Sequence, residues 1–322
     1  MSEARVTDNN LMTEYAAVRD GGVGSIDLSE RGRISVSGAE AVMFLNGLIT
    51  NDLKTLGENR WMPAAFPNVQ GRLLAAVRVI RRRDDILLDT EAVTRDKVMK
   101  LIERFTLAGD FKVRDLTDET RQISFQGRSA GELIEKIYGA TNLPPDGVWQ
   151  NDDVTIVRAT HTGEDGFDVI GAAVSDDATP VSKEVAEILR IEGGIARYGV
   201  DMDETNVVTE TNLDDAVSYT KGCYLGQEII VRIKHRGHVA KKLTGLLFET
   251  DQPVEAGSLI KSSEDKEIGR LTSATFSPKL KTTVGLGYVR YEHLTPGTPI
   301  LIGNVAGSVQ SLPLIHGSWY EN

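Results

Sequence analysis

The segment of residues 221–232 reads Lys-Gly-Cys-Tyr-Leu-Gly-Gln-Glu-Ile-Ile-Val-Arg, and it contains Cys223, the only cysteine of the chain. Glycines on both sides of this cysteine let the backbone adopt positive φ and approach a ligand closely. Lys221 precedes the cysteine by two residues, and a nearby cation favours the thiolate over the thiol. The pattern therefore predicts an exposed, functional thiol. The alternative is a turn that opens a buried helix, in which Cys223 is only a small hydrophobic residue.

The pattern Lys-Gly-Cys-Tyr-x-Gly-Gln-Glu-x-x-x-Arg resembles the signature of the YgfZ family, the folate-binding relatives of the glycine cleavage T-protein that support iron–sulfur enzymes. The resemblance covers nearly the whole chain, because three further motifs follow the order of that superfamily: Thr-Asn-Asp-Leu at 50–53, Gln-Gly-Arg at 70–72 and Leu-Arg-Ile-Glu-Gly-Gly at 189–194. It implies an α+β fold, in which two related plait-like (ferredoxin-like) lobes and a small C-terminal β-barrel surround a central folate pocket. It also implies tetrahydrofolate or another reduced folate as the cofactor, and iron–sulfur client or assembly proteins as partners.

Composition limits the possible classes of protein. The 322 residues are 40% hydrophobic, which predicts a substantial core and two or three domains. No apolar run reaches the roughly 18 residues of a membrane span, and the N-terminus is polar, so we expect a soluble, cytoplasmic protein without membrane contact. One cysteine excludes an intramolecular disulfide and cannot by itself hold an iron–sulfur cluster or structural zinc, so we predict no metal site. The net charge of -11 disfavours general nucleic-acid binding.

Hydrophobic periodicity predicts a first α+β lobe after a start that we expect to be mobile. Its predicted elements are strands over 24–28 and 33–36 joined by a turn, a helix from the capping-box residues 37–40 to about Ile49, strands over 73–80 and 86–88, and a helix with an apolar stripe at Val98, Leu101, Ile102 and Phe105.

The same order of elements then returns, which predicts a second lobe related to the first. Its predicted elements are a strand over 123–127, a helix opened by a capping box at 129–132, a hairpin of 155–160 and 167–170, and a helix from about Ser182.

From Lys242 onward the pattern changes to short strands without a helix. Six are predicted, over 243–248, 258–261, 268–276, 284–289, 299–302 and 305–309. A small barrel is the most economical arrangement of such strands, because closure removes exposed edges. We therefore place a boundary near residue 240, between a folate-binding domain of residues 1–240 and a barrel domain of residues 241–322.

Glu192 follows Val185, Ile188 and Leu189 at helical spacing, which puts a carboxylate on the apolar face of its helix. A charge in that position requires a partner. One possibility is an internal ion pair with Arg190, Arg197 or Lys221. The resemblance implies a different role, in which Glu192 accepts the two adjacent donors of a pterin ring.

Four more residues are candidates for the cofactor site. Lys221 and Gln227 flank the cysteine within the motif, and Asn51 lies where the first helix is predicted to end. Asn51 could equally form an Asx-type turn. Arg232 is the best candidate to receive the glutamate tail of a folate, although the cations around it could also be a solvated run.

Ala75 and Ala76 occupy positions where the resemblance implies that aminomethyltransferases carry a catalytic aspartate. An alanine has no proton to move and no charge to offer a cationic transition state, so the one-carbon step would lose about 10²–10³ or more in rate. Whether the chain is an enzyme therefore stays open.

The favoured interpretation is a tetrahydrofolate-binding accessory protein for the assembly or repair of iron–sulfur clusters, in which Cys223 is the reactive residue, as a cluster ligand or a redox thiol. The alternative is a folate-dependent aminomethyltransferase-like enzyme, which requires a carboxylate near Ala75 and Ala76. A third possibility is a cysteine hydrolase, which requires the imidazole of His235 or His238 beside the Cys223 sulfur.

Overall fold

The computed structural model describes residues 2–104, 109–171 and 177–321. Within these residues the chain forms six α-helices: α1 Ser2–Arg19, α2 Ala41–Leu48, α3 Arg95–Glu103, α4 Ala130–Tyr138, α5 Lys183–Glu192 and α6 Gln227–Arg236. Seventeen strands lie in the same ranges: β1 Gly24–Asp27, β2 Gly32–Ser37, β3 Arg60–Pro67, β4 Leu73–Arg81, β5 Ile86–Thr90, β6 Lys112–Asp115, β7 Arg121–Gln126, β8 Val148–Gln150, β9 Val154–Arg158, β10 Gly166–Gly171, β11 Thr179–Pro180, β12 Lys241–Phe248, β13 Leu259–Lys261, β14 Glu267–Ser277, β15 Thr282–Arg290, β16 Pro299–Ile302 and β17 Val305–Gln310.

The fold is the predicted α+β architecture of two sheet-based lobes and a barrel. The first lobe has the sheet order β3-β4-β5-β2-β6, and its core packs α2 and α3 onto one face of the sheet through residues such as Leu45, Val79 and Val98. The second lobe has the order β11-β1-β7-β10-β9-β8 and packs α4 against it through Ile134 and Phe167. Phe105, which the sequence pattern placed on the stripe of α3, lies outside the described residues.

The two sheets correspond strand by strand, which confirms that the lobes are related. The order β3-β4-β5-β2-β6 matches β8-β9-β10-β7-β1, and the second sheet has β11 in addition at its edge. In corresponding positions, β6 pairs antiparallel with β2 and β1 pairs antiparallel with β7. The expectation that β1 and β2 are neighbours in one lobe is wrong. Alternation predicts that a segment is a strand but does not select its partner, and β1 pairs with β7 across the molecule.

The sequence analysis also missed helix α1, which extends to Arg19. Tyr15 and Val18 are buried in a cluster with Val185 and Leu189 of α5. Leu11, Tyr15 and Val18 follow the spacing i, i+4, i+7, so the helical stripe is present in the sequence.

Helices α2 and α4 begin close to where the capping patterns place them, but neither predicted capping box forms, and a side-chain cap forms instead at α5, where none was predicted. Ser182 Oγ accepts a hydrogen bond from the Val185 backbone N–H at 3.3 Å. Ser37 lies four residues before α2 and does not cap it, while Ser129 Oγ instead donates to the Gly21 carbonyl at 2.7 Å. Local spacing therefore predicted where these helices begin, whereas tertiary contacts determine which groups pair with the free backbone N–H groups at their N-termini.

The sequence analysis missed four short or interrupted strands, β3, β6, β8 and β11. Strand β3 contains Pro63 and ends at Pro67. Proline cannot donate a ladder hydrogen bond and is tolerated on an edge strand, which is the position of β3 in its sheet.

The C-terminal strands close into a barrel of six, in the order β12-β15-β14-β13-β16-β17, as predicted. The interior is filled by residues such as Leu246, Ile260 and Val309. Gly303 and Asn304 form a two-residue hairpin turn, because Ile302 pairs with Val305 and Gly303 has φ 57°. None of the described helices combines the length and the hydropathy that crossing a membrane requires.

Candidate functional site

The loop that precedes α6 displays Cys223 in solvent between two buried anchors. Cys223 is exposed, whereas Lys221 and Tyr224 on either side of it are 7% exposed. The alternative in which the cysteine packs in a core is therefore excluded by its exposure. The predicted exposed thiol is present, and the neighbouring side chains fix the loop that carries it.

Lys221 anchors the loop to the C-terminus of α2. Its Nζ donates to the backbone carbonyls of Asn46, Ile49 and Asn51 at 2.6, 2.9 and 2.7 Å. The last carbonyls of a helix have no intrahelical partner and carry the negative end of its dipole, so an ammonium group there is favourable. Burial lowers the pKa of Lys221 to about 8. Its donors are directed at protein carbonyls, so a role as a cofactor ligand stays a prediction.

Gly226 brings this loop against the Gln-Gly-Arg turn of residues 70–72. Gly226 has φ 77°, and a Cβ at this position would lie 2.3 Å from the Asn68 carbonyl oxygen. Gly71 has φ 72°, and a Cβ there would lie 3.3 Å from Ile229 at the start of α6. Two motifs that are far apart in sequence therefore pack directly on each other, and glycine is required at the contact.

The other predicted site residues make contacts within the protein. Asn51 Nδ2 donates to the carbonyls of Pro63 and Asp215 at 2.8 and 2.9 Å, which ties α2 to two neighbouring segments. Gln227 Nε2 donates to the Lys221 carbonyl at 3.4 Å. Lys221 thus contacts both Asn51, just after the end of α2, and Gln227, the first residue of α6.

Arg232 lies on the exposed face of α6. Its Nη2 is 2.7 Å from Glu228 Oε1, and its side chain is half-exposed. This pair is an i, i+4 surface ion pair of the kind that contributes little to stability. The structure therefore places Arg232 in the solvated cationic run that was the alternative in the sequence analysis, and its role in binding a cofactor tail stays a prediction.

Glu192 is fully buried at the junction of α1, α5 and the barrel. Tyr15 Oη donates to both carboxylate oxygens at 2.9 Å, and Ser277 Oγ donates to Oε1 at 2.5 Å. Arg19 Nη2 lies 3.0 Å from Oε2. Burial and the Glu192 charge raise the pKa of Tyr15, which keeps its hydroxyl protonated as a donor.

This arrangement corrects the expected ion-pair partners of Glu192. Arg190 pairs with Glu187 and Asp201, and Arg197 also pairs with Glu187. The true partner, Arg19, comes from α1, a helix that the sequence analysis did not predict. Because the carboxylate is enclosed and its oxygens accept from three side chains, binding a pterin would require an exchange of partners, and that role of Glu192 stays a prediction.

Ala75 and Ala76 lie on opposite faces of β4. Ala75 is buried in the first lobe, and Ala76 packs against a cluster that contains Tyr198, Val217 and Tyr224. Arg78, two residues further along the same face, binds Asp89 and Asp168. The carboxylates of Asp89 and Asp168 are thus paired with an arginine, which argues against either of them as a substitute for an acid–base aspartate.

The charged cluster around Arg78 joins the two lobes, and the sequence analysis missed it. Asp89 of β5 also binds Arg31 at 2.7 Å, and Asp168 of β10 lies 3.0 Å from His161 Nε2. Burial opposes ionisation of Asp168, but Arg78 and His161 hold its pKa well below the usual range. No local sequence signal identifies such a cluster, because its members come from four separate segments.

Neither candidate histidine approaches the cysteine. His238 stacks on Tyr291 with ring centroids 4.1 Å apart, and His235 is exposed on α6. Among the described residues, neither imidazole forms a hydrogen bond with the Cys223 sulfur. The contact between an imidazole and the Cys223 sulfur that a cysteine hydrolase requires is therefore absent among these residues.

A cavity of 610 Å³ lies between residues 199–206 and the outer face of β14 and β15. Within the described residues, it is lined by none of the side chains predicted to bind the cofactor. Tyr288, Arg270 and Arg290 line its barrel side, and Asp203 lines the opposite segment. The Tyr288 hydroxyl is buried and has no hydrogen-bond partner. Strand alternation could have placed Tyr288 on the outer face, but only the fold brings residues 199–206 onto it.

Asp201 holds the wall of this cavity to the barrel. Its Oδ2 lies 2.6 Å from Arg190 Nη1, and its Oδ1 accepts from Thr272 and Ser273 at 2.7 and 2.6 Å. The same segment reaches the turn of residues 70–72, because the Leu73 N–H donates to the Asn206 carbonyl at 2.9 Å. The turn of residues 70–72 therefore contacts both the loop that carries Cys223 and the segment that forms the cavity wall.

The described residues contain no cluster of three or more His, Cys, Asp or Glu placed to hold a metal.

Comparison with known proteins gives consistent matches over the whole chain. The GCVT N-terminal domain matches residues 3–221, and the glycine cleavage T-protein C-terminal barrel domain matches residues 241–313. The aminomethyltransferase of Thermotoga neapolitana is 28% identical over 96% of this chain and 91% of the relative. The aminomethyltransferase of Koribacter versatilis is 31% identical over 88% of this chain and 80% of the relative.

A solved structure shares the fold. The crystal structure of glycine cleavage system aminomethyltransferase T from Bartonella henselae superposes with a TM-score of 0.86 and 24% identity, covering 95% of this chain and 90% of that chain.

Proposed function

Because this chain belongs to the glycine cleavage T-protein family, we propose that it binds a reduced folate and serves as an accessory protein for the assembly or repair of iron–sulfur clusters in client proteins. The observation that carries the proposal is the exposed Cys223, held on a loop that Lys221 and Gly226 fix in place. A thiol displayed on a fixed loop can meet a partner protein without folding around it.

The cavity beside β14 and β15 is the proposed folate site. Its volume of 610 Å³ lies within the range of small-molecule pockets. The unpartnered Tyr288 hydroxyl supplies a hydrogen-bonding group. Asp203 supplies a carboxylate that forms no ion pair among the described residues, and its Oδ1 accepts from the backbone N–H and the hydroxyl of Thr205 at 2.7 and 2.6 Å. A carboxylate is the group that accepts the paired donors of a pterin.

The motif around Cys223 supports assignment to the YgfZ branch of the family. This assignment requires Cys223 to act with a client, because one cysteine supplies one of the usual four ligands of a cluster. The net charge of -11 makes the surface acidic, and an acidic surface favours partners that present a basic surface.

The second candidate function is folate-dependent aminomethyl transfer, which the names of the relatives favour. Ala76 and the occupied carboxylates of Asp89 and Asp168 argue against it. The two functions are separated by incubating the protein with tetrahydrofolate and an aminomethylated lipoyl carrier. Ammonia release over many turnovers, at about 1 per second or faster, would favour the enzyme.

The central test is replacement of Cys223 by alanine. Because the side chain is exposed, the free energy of unfolding should change by less than about 0.5 kcal/mol, and calorimetry should give an unchanged tetrahydrofolate affinity. Cells that depend on the variant should lose activity of iron–sulfur enzymes under oxidative stress. The matched control is Thr220→Ala, an exposed residue of the preceding turn.

Two outcomes contradict the proposal. Full restoration of iron–sulfur enzyme activity by the Cys223→Ala variant would remove the thiol from the function. Absence of binding for both tetrahydrofolate and its 5-formyl form would remove the folate.

A further inference from the structure

An apolar groove of 570 Å³ lies where α1, α5 and the barrel meet. Most of the side chains that line it are apolar, and they include Leu11 and Met12 of α1, Ile188 of α5, and Val254 and Phe276 of the barrel domain. Among the described residues, the groove shares no lining residue with the cavity of 610 Å³. It is therefore a separate surface, which the proposed function does not use.

Two large apolar side chains of this groove remain in water. Met12 is 48% exposed and Phe276 is 42% exposed, whereas Ile188 in the same groove is buried. Leu280, in the turn that follows β14, is also exposed. Apolar side chains that gather at a concave surface mark an interaction site, because covering them removes apolar area from water.

The charged groups that line the groove have one sign. Glu184 of α5 and Asp251, in the loop after β12, are carboxylates, and the described part of the lining contains no lysine, arginine or histidine. Asp251 Oδ1 accepts a hydrogen bond from Gln252 Nε2 at 2.8 Å. Within the described ranges, neither carboxylate forms an ion pair.

The lysines nearest in sequence do not form ion pairs with these carboxylates. Lys183 Nζ instead lies 2.6 Å from Glu30 Oε1. Lys279 and Lys281 are exposed in the turn between β14 and β15, outside the lining of the groove. The groove therefore combines apolar walls with two unpaired carboxylates, on a chain whose net charge is -11. Such a surface favours an occupant that carries positive charge.

Charge and shape distinguish three kinds of occupant. An anionic membrane surface would be repelled by the two carboxylates. A second copy of the chain, related by a two-fold axis, would place the same carboxylates against each other. A basic helix of another protein meets neither obstacle. Two helices and strand β14 already form the walls, and a further helix can pack on them by placing its ridges in their grooves.

We propose that this groove binds an amphipathic helix of a partner protein, with apolar side chains on one face and lysine or arginine beside them. The apolar face covers Met12, Ile188 and Phe276, as in other complexes in which a helix lies in an apolar groove. The cations of the partner pair with Glu184 and Asp251. The protein thus has a docking site for a basic partner that is independent of folate and of the thiol.

The test uses three designed peptides of roughly 15 residues, the length at which an isolated helix begins to form. The first has leucines on one helical face and lysines on the other. The second has glutamine in place of lysine, and the third has the composition of the first with its leucines distributed around the helix. By fluorescence anisotropy at low ionic strength, the first should bind about tenfold tighter than either of the others, because it alone has both an apolar face and cations.

Two substitutions test the apolar contact. Met12→Gln and Phe276→Thr should each weaken binding of the first peptide about tenfold, and the melting temperature should stay unchanged because both side chains are exposed. The matched controls are Met43→Gln, an exposed methionine of α2, and Leu259→Thr, an exposed leucine of β13. Neither control residue lines the groove, so both variants should bind the peptide as the wild type does.

Two further substitutions test the charges. Glu184→Gln combined with Asp251→Asn should remove most of the preference for the lysine peptide over the glutamine peptide. The matched control is Glu132→Gln, because Glu132 is exposed in the first turn of α4 as Glu184 is in the first turn of α5. The control should keep the full preference.

Hydrogen exchange locates the bound peptide. Exchange should become slower in residues 9–19 of α1 and in the turn of residues 277–281, and it should stay unchanged in α4. Equal affinity for the three peptides, or full binding in both Met12→Gln and Phe276→Thr, would overturn the proposal.

Two measurements identify the other occupants. Dimerisation in sedimentation experiments that Phe276→Thr abolishes would make a second copy of the chain the occupant, and it would overturn the proposal. Binding to vesicles of phosphatidylserine and phosphatidylcholine that the same variant abolishes would make a lipid surface the occupant, with the same consequence.

Discussion

At the scale of single residues, Glu192 shows how a buried carboxylate is stabilised by groups that are distant in sequence. Three donors, Tyr15, Arg19 and Ser277, surround its oxygens, and Arg19 also binds Glu164 at 2.8 Å. Breaking a buried ion pair on one side is costly because the remaining charge is left uncompensated. The residue therefore joins α1, α5 and the barrel.

Glu192→Gln should lower the free energy of unfolding by about 2–4 kcal/mol, because Arg19 loses its charged partner and one acceptor becomes a donor. Folate affinity should stay within about twofold, since the side chain is enclosed. Urea denaturation and calorimetry measure the two effects. Glu184→Gln, on the exposed face of α5, is the control and should be neutral. A tenfold or greater loss of folate affinity at unchanged stability would instead make Glu192 the pterin acceptor.

At the scale of secondary-structure elements, α2 has eight residues and depends on a side chain from elsewhere for its C-terminus. The Lys221 ammonium group provides that cap through three carbonyl contacts. The same lysine positions the loop that carries Cys223. A motif residue that suggested ligand chemistry thus stabilises a helix end and orients a thiol at the same time.

Lys221→Met should lower the free energy of unfolding by about 2–4 kcal/mol, because three partly buried carbonyls lose their donor. The loop should also loosen, so hydrogen exchange of the amides in residues 221–226 should become faster. Lys100→Met, on the exposed side of α3, should change stability by less than about 0.5 kcal/mol. Unchanged exchange in the Lys221 variant would show that the lysine does not hold the loop.

At the scale of the whole molecule, the charged cluster of Arg31, Arg78, Asp89 and Asp168 connects the two lobes. It lies beside an apolar contact between the sheets, which includes Ile80 and Val157. Burial opposes ionisation of both aspartates, but the arginines hold the pKa of Asp89 and of Asp168 below the usual range. The association of the lobes is therefore linked to pH.

The sign of this linkage follows from proton binding. Below about pH 4 the unfolded chain takes up protons on these carboxylates and the folded chain does not, so stability is present above that pH and is lost as the pH falls. Asp168→Asn should cost about 3–5 kcal/mol at pH 7, and its stability should fall less steeply than that of the wild type between pH 4 and pH 2. Asp146→Asn, in an exposed pair with Arg60, should retain the slope of the wild type. Parallel curves for wild type and Asp168→Asn would contradict the assignment.

Local sequence patterns were sufficient to predict the two related lobes, the six barrel strands and the starts of α2, α4 and α5. These features depend on local periodicity, as in the stripe of Val185, Ile188 and Leu189 or the turn at Gly303 and Asn304. Periodicity states which face of an element is apolar, and burial of that face follows from the hydrophobic effect. The exposure of Cys223 also followed from local sequence, since flanking glycines and polar residues do not form a core.

Tertiary packing determines which partners meet. It places β1 in the second sheet and pairs Glu192 with Arg19. It also brings Lys221 to the end of α2 and forms the cavity beside Tyr288. In each case the sequence shows a group that needs a partner and contains several residues that could supply it. Hydrogen bonds and ion pairs are short-ranged and directional, so the choice among those residues is made only when packing of the apolar faces has fixed the positions of the elements.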